Sequence, residues 1–187
     1  MSMSSWLLPD YIFPTYRSVT PEFLKSIGVK ALLIDIDNTL APYEMPDPDA
    51  AIMTWFGDLL SNGIKATLVS NNDRERVERF NKDLGLPAFY KSGKPFAKNL
   101  KKAMAGMGSD RTNTAMLGDQ LLTDAAAGKH IGLRTIIVPP IKDKNNRFFR
   151  AKRAMEVGFI RKYVKIHGGE SRRICSFWID KKFKKTR

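Results

Sequence analysis

The sequence predicts an α/β protein, a three-layer Rossmann-like parallel sheet spanning roughly residues 20 to 140, followed by a basic extension. Three observations lead there. Apolar runs of strand length alternate with amphipathic runs of helix length. Capping residues and glycines fall at the borders between them. The charge is also unevenly divided: residues 1–141 hold 16 Lys+Arg and 15 Asp+Glu, whereas residues 142–187 hold 16 and 4. The chain therefore divides into a near-neutral domain over 1–141, with a lead-in helix, and a basic amphipathic extension over 142–187.

Each element has its own signal. "SVTPEFLKSIGVK" reads as a short helix with Thr20 as N-cap, Pro21 in the first turn and Gly28 as terminator. "ALLID" is a continuous apolar strand of the kind buried on both faces of a parallel sheet. "DPDAAIMTWFGDLLSNG" follows as a helix with Ile52, Phe56, Leu59 and Leu60 on its inner face and Gly63 closing it. The alternation continues through strand "KATLV", helix "DRERVERFNKDLG", short strand "AFY" and helix "PFAKNLKKAMAGMG". Strand "TAMLG", helix "LLTDAAAGKHIG" and strand "LRTIIV" complete it, and Pro139 and Pro140 stop it. Strands joined by helices of this length form right-handed crossovers, which require a parallel sheet covered on both faces.

Composition narrows the function classes. The chain of 187 residues is long enough for one domain with a real core. A single cysteine, Cys175, excludes an intramolecular disulfide and a multi-cysteine metal site, and fits a cytoplasmic location. The segment "MSMSSWLLPDYIFP" lacks a basic leader and is broken by Pro9 and Asp10, so it does not read as a signal peptide. No window approaches the ~18 apolar residues of a membrane span.

Ligands of open parallel sheets bind beyond the carboxyl ends of the strands. There the sequence places Asp35, Asp37 and Thr39 after the first strand of the alternation, and Ser70 and Asn71 after the second. Lys94 comes after the third, and Asp119 and Asp124 after the fourth. Asp35 and Asp119, with water, are hard oxygen ligands of the kind Mg²⁺ prefers. A lysine beside them points to a further anion held at the same edge. "SGKP" is no nucleotide P-loop, because the preceding glycine-rich run is missing. His130, at a helix end, and His167, in the basic region, read as surface residues.

"DIDNT", "SNN", "GKP" and "GDQLLTD" resemble, in order, the four motifs of the haloacid dehalogenase (HAD) superfamily of aspartate-nucleophile phosphatases. More narrowly, "LLPD", "TPEFLKSIGVK", "DIDNTL", "VSNN" and "GDQLLTD" resemble the class IIIA YqeG-like phosphatases, relatives of the phosphatidylglycerophosphate phosphatases, over roughly residues 5 to 165. The resemblance implies a Mg²⁺-dependent phosphomonoester hydrolase. Asp35 would be the nucleophile that forms an aspartyl-phosphate. Asp37 would be the general acid and base, its backbone carbonyl facing the metal. Ser70 and amides near Asn71 would bind the phosphoryl group, and Lys94 would neutralise its charge. Asp35, Asp37 and Asp119 would hold Mg²⁺, with Thr39 in support and Asp124 acting through water or by orienting Lys94. The intervals between motifs leave no room for a cap domain, so the site is expected to be open, which suits a phosphate on something large or fixed in a surface.

The extension mixes Phe148, Met155, Phe159 and Tyr163 at helical spacing with Arg150, Lys152, Arg153, Arg161 and Lys162. It admits two readings besides packing on the domain. One is a helix lying on an anionic membrane at the inner face of the cell membrane. The other is an RNA or ribosome partner, with aromatics stacking on bases. Because no motif residue lies in 168–187, removing that stretch is expected to leave turnover nearly intact.

Overall fold

The structure, a computed structural model, describes residues 7–142 and 147–179, without the side chains of 147–150, 153 and 177. Among the described residues six parallel strands form one sheet: β1 (Tyr11–Ile12), β2 (Ala31–Ile34), β3 (Lys65–Val69), β4 (Ala88–Phe89), β5 (Thr114–Gly118) and β6 (Arg134–Ile137). Their spatial order is β1-β6-β5-β2-β3-β4. The chain runs outward from β2 to β4, then returns to place β5 on the other side of β2. The direction of winding therefore reverses between β2 and β5, which is where such sheets open a crevice for a ligand.

β2 is buried along its whole length, and its side chains alternate between two cores. Leu32 and Ile34 pack on one face with Leu24, Ile52, Phe56 and Phe80, from helices α1 (Pro21–Ser26), α2 (Ala50–Ser61) and α3 (Arg74–Asn81). Ala31 and Leu33 pack on the other with Leu100, Ala103 and Met104, from helix α4 (Lys98–Met107), and with Met116. The Thr20 cap read from the sequence is present, and two further caps accompany it. Thr20 Oγ1 accepts from Phe23 N–H (3.3 Å), and Asp49 and Asp73 accept from Ile52 N–H and Arg76 N–H (2.8 and 3.0 Å). The inner face of α2 differs at one position. Leu60 is 46% exposed, and Trp55 is buried instead, donating its indole N–H to the Val19 carbonyl (3.0 Å). The indole is amphipathic, so the interior accepts it once its N–H has a partner.

Two elements depart from the sequence expectation. β1 is a two-residue edge strand between Pro9 and Pro14, too short to carry periodicity. It is fixed by Asp10, whose carboxylate accepts from Thr135 N–H (2.7 Å) and Lys129 Nζ (2.6 Å). The segment read as one helix over 121–132 is instead a π-helical turn (Leu121–Ala125) followed by α5 (Ala126–His130). The Gln120 carbonyl accepts from both Asp124 N–H (2.9 Å) and Ala125 N–H (3.2 Å), so the turn widens where Asp124 must face inward.

The extension folds onto this frame. Helix α6 (Arg147–His167) leads into the short helices α7 (Gly169–Ile174) and α8 (Ser176–Ile179). Ile160, Tyr163, Cys175 and Trp178 share a third core with Ile12, Leu121, Ala125 and Ile137. Among the described residues no helix is long and apolar enough to cross a membrane.

Candidate active site

Asp35 leaves β2 with its N–H still bonded to the Leu117 carbonyl of β5 (2.9 Å), so it stands at the reversal point of the sheet. The chain then turns sharply. Asn38 takes the left-handed conformation (φ 67°), which asparagine tolerates better than most residues, and its N–H reaches back to the Ala41 carbonyl (2.7 Å). That turn brings Thr39 Oγ1 to Asp35 Oδ2 (3.1 Å). From the far side, Lys94 Nζ binds Asp35 Oδ1 (2.6 Å) and Asp124 Oδ1 (2.8 Å), all three residues buried.

Asn71 explains how a lysine 59 positions away from Asp35 reaches that point. Its Oδ1 accepts from Lys94 N–H (2.9 Å) and Ser92 Oγ (2.8 Å), while its Nδ2 donates to the Lys94 carbonyl (2.9 Å). The side chain thus clamps the lysine loop, leaving the backbone near Asn71 for any contact with a phosphoryl group.

Asp37 points elsewhere. Its Oδ1 accepts from Arg76 Nε (3.1 Å), and its Oδ2 from Asn72 Nδ2 (3.2 Å) and, at the longer distance of 3.4 Å, Ser70 Oγ. Ser70 Oγ also accepts from Asn72 N–H (3.0 Å). Ser70 and Asp37 therefore form one polar wall, with Asp35 and Lys94 beside it in a cavity of about 380 Å³.

Among the described residues Asp35, Asp119 and Asp124 form a group of carboxylates able to share a cation, with one oxygen from each lying within 4.8 Å of the others. The Asp37 side chain is bonded to Arg76, Asn72 and Ser70 and is not one of these three carboxylates. Three carboxylates against the Lys94 ammonium leave a formal excess of two negative charges in a buried place, which fits a divalent cation held by hard oxygens. The crowding shows in the acidities. Burial, opposed by Lys94 and reinforced by Asp124 and Asp119, pushes the Asp35 carboxyl up to about 8. For Lys94, burial works against the charged form, yet Asp124 and Asp35 outweigh it and raise the ammonium above its usual range. Tyr43, also at the cavity, is raised by burial and then by Asp37 and Asp35, so it remains a neutral phenol.

All eight residues singled out from the sequence lie at this one sheet edge. The sequence reading missed Arg76, Asn72, Tyr43, Gln120, Thr123 and Lys152. Arg76 carried a signal: "DRER" puts two arginines in the first turn of a helix, where the macrodipole favours acids. Arg74 satisfies the local rule by pairing with Glu78 (2.6 Å), while Arg76 reaches a carboxylate 39 residues away.

The extension is also placed differently from the membrane reading. Tyr163 is buried and Phe159 packs against the same core, so most of the described apolar stripe faces protein. Met155 is 58% exposed, and the side chains of Phe148, Arg150 and Arg153 lie outside the described residues.

A HAD-hydrolase-like family model matches residues 91–143. The chain is 36% identical over 154 residues to Probable phosphatase YqeG of Bacillus subtilis (strain 168), across 82% of this chain and 90% of that one. It is 28% identical to the chloroplastic Phosphatidylglycerophosphate phosphatase 1 of Chlamydomonas reinhardtii, across 77% of this chain and 57% of that one. A solved structure of an uncharacterized protein from Listeria monocytogenes serotype 4b has the same fold at a TM-score of 0.50 and 14% identity, covering 63% of this chain and 85% of that one. With its motif residues gathered at one sheet edge and this similarity over nearly the whole of the Bacillus protein, the chain belongs to the haloacid dehalogenase superfamily, among the YqeG-like phosphatases.

Proposed function

We propose that the protein is a Mg²⁺-dependent phosphomonoester hydrolase that works through an aspartyl-phosphate on Asp35, with phosphatidylglycerophosphate as its substrate. The observation that carries the mechanism is the Asp35 carboxylate itself, held between Thr39 Oγ1 (3.1 Å) and Lys94 Nζ (2.6 Å) beside an open cavity. Asp35 attacks phosphorus, and the bond to the leaving oxygen breaks as Asp37 supplies its proton. In the second half Asp37 takes a proton from water, which attacks phosphorus and releases phosphate and free Asp35. Ser70 and the backbone at Asn71 hold phosphoryl oxygens, and Lys94 balances charge on nucleophile and phosphoryl group. Asp35, Asp119 and the Asp37 carbonyl would hold Mg²⁺, which would supply the charge shielding that lets an anionic nucleophile approach an anionic ester. Asp124 serves by fixing Lys94 (2.8 Å).

The lipid substrate is supported by the named activity of the Chlamydomonas relative and of a 22% identical Arabidopsis thaliana relative with the same activity in its name. Phe96, 74% exposed and two residues along the chain from Lys94, is an apolar side chain that would suit contact with a membrane surface. The test is phosphate release from an aryl phosphate and from phosphatidylglycerophosphate in mixed micelles, with and without Mg²⁺. Asp35→Asn should abolish release, and Asp37→Asn should slow it by ~10²–10⁴-fold. Wild-type turnover by Asp35→Asn would remove the covalent mechanism, and a preference for sugar phosphates or nucleotides would remove the lipid.

A further inference from the structure

Lys152 belongs to the basic extension, 117 residues from Asp35 in sequence, yet it lines the same cavity. Two contacts hold it there. Its Nζ donates to Gln120 Oε1, which also accepts from Thr123 Oγ1 (3.2 Å). One helical turn further on, the fully buried Glu156 accepts from Leu121 N–H (2.9 Å) and Leu122 N–H (3.4 Å), the amides that open the π-helical turn. Helix α6 is therefore fastened to the Gln120–Asp124 turn at two residues on one face. Gln120, Thr123 and Lys152 form a continuous polar stretch of the cavity lining.

The lining contains two cations, Lys94 and Lys152. Lys94 lies between Asp35 and Asp124 and acts on the nucleophile side. Lys152 donates to Gln120 Oε1 in the same lining. A phosphoryl group bound at Asp35 fills only part of so open a cavity, and the leaving group occupies the rest. We propose that Lys152 is a specificity-determining residue that binds a second anionic group on the leaving-group side, so that the enzyme selects phosphomonoesters carrying another negative charge a few bonds from the scissile oxygen. The role rests on the phosphatase function proposed for Asp35 and assigns to the extension a part in substrate choice that lies outside the four motifs.

The test uses the full chain with Mg²⁺ and two matched probes: 3-hydroxypropyl phosphate, and the same ester with a methyl phosphodiester on its free hydroxyl. The probes share the scissile bond and differ in the second anion. Wild type should favour the diester-bearing probe in kcat/KM by about tenfold or more, the scale of one hydrogen bond to a charged group. The difference should lie mainly in KM. Lys152→Met should erase that preference, Lys152→Arg should retain it, and Lys152→Glu should reverse it. If Lys152→Met lowers both probes equally, the lysine is only a tether for α6 and the inference falls. Equal wild-type kcat/KM for the two probes also overturns it while leaving the phosphatase function intact. Absence of Asp35-dependent release from either probe would overturn both.

Discussion

A methyl group at position 118 would lie 2.4 Å from the Cβ and Cγ of Asp124, closer than real Cβ contacts come. The last residue of β5 is therefore glycine because the Asp124 side chain crosses it on its way to Lys94. Gly118→Ala should move Asp124, release Lys94 from its second carboxylate and loosen its hold on Asp35. Turnover of an aryl phosphate should fall by ~10²-fold, the scale of a small misplacement in a catalytic group. Overpacking should cost about 1–3 kcal/mol in stability. Paired kinetics and denaturant titrations check this, and wild-type turnover in the alanine variant would show that Lys94 is set by something other than Asp124. At this scale the sequence was informative about residue types, and it named a partner for Asp124, Lys94, only through the family resemblance and beside a water-mediated role. "GDQLLTD" marks Asp119 and Asp124 as acids at a strand end, but the contact of Asp124 with Lys94 spans the sheet edge. Asn71 likewise reads as part of a phosphate loop, whereas its side chain spends its hydrogen bonds on the lysine backbone.

Helices α6 to α8 show why an amphipathic pattern alone does not name its partner. Periodicity correctly marked an apolar stripe with flanking basic residues, a pattern equally suited to lipid and to protein. In the structure Tyr163, Cys175 and Trp178 are buried with Leu121 and Ala125 of the π-helical turn and with Ile12 and Ile137 of strands β1 and β6. This changes the expectation for removing residues 168–187, since the deletion takes away two members of a core along with the basic residues. Trp178→Ala alone should destabilise the protein by ~3–5 kcal/mol, the usual cost of emptying a tryptophan site. Chemical denaturation of the full chain measures it, and a loss below ~1 kcal/mol would mean that α8 contributes little to the core. Loosening that core should also lower activity, because Glu156 and Lys152 tie α6, which shares the core, to the turn bearing Asp124.

For the whole molecule the third core implies one cooperative unit, because the extension packs on Ile12 of β1 and Ile137 of β6. Cys175 reports on that. Burial pushes its thiol up to about 11, so little thiolate exists near pH 8, and the sulfur is also shielded from solvent. A thiol-specific chromogenic disulfide reagent should leave Cys175 untouched in the native protein at pH 8. Across a urea titration it should react in step with the loss of the far-ultraviolet circular dichroism signal. Labelling while the dichroism remains native would show that α6 to α8 open separately from the sheet.

The sequence by itself determined the alternation of strands and helices, the Thr20 cap, the parallel sheet and the eight residues brought to its edge. Each of these is written in local periods and in the residue types just past each strand, and a parallel sheet sends every strand end to the same side. Tertiary structure alone decided the Arg76–Asp37 pair, the clamp of Asn71 on Lys94, the two-residue edge strand, and the seat of the basic helix against the catalytic turn. These join residues far apart in the chain through side-chain contacts that no local period records. An apolar stripe fixes that a helix must bury one face; only the packed molecule fixes against what.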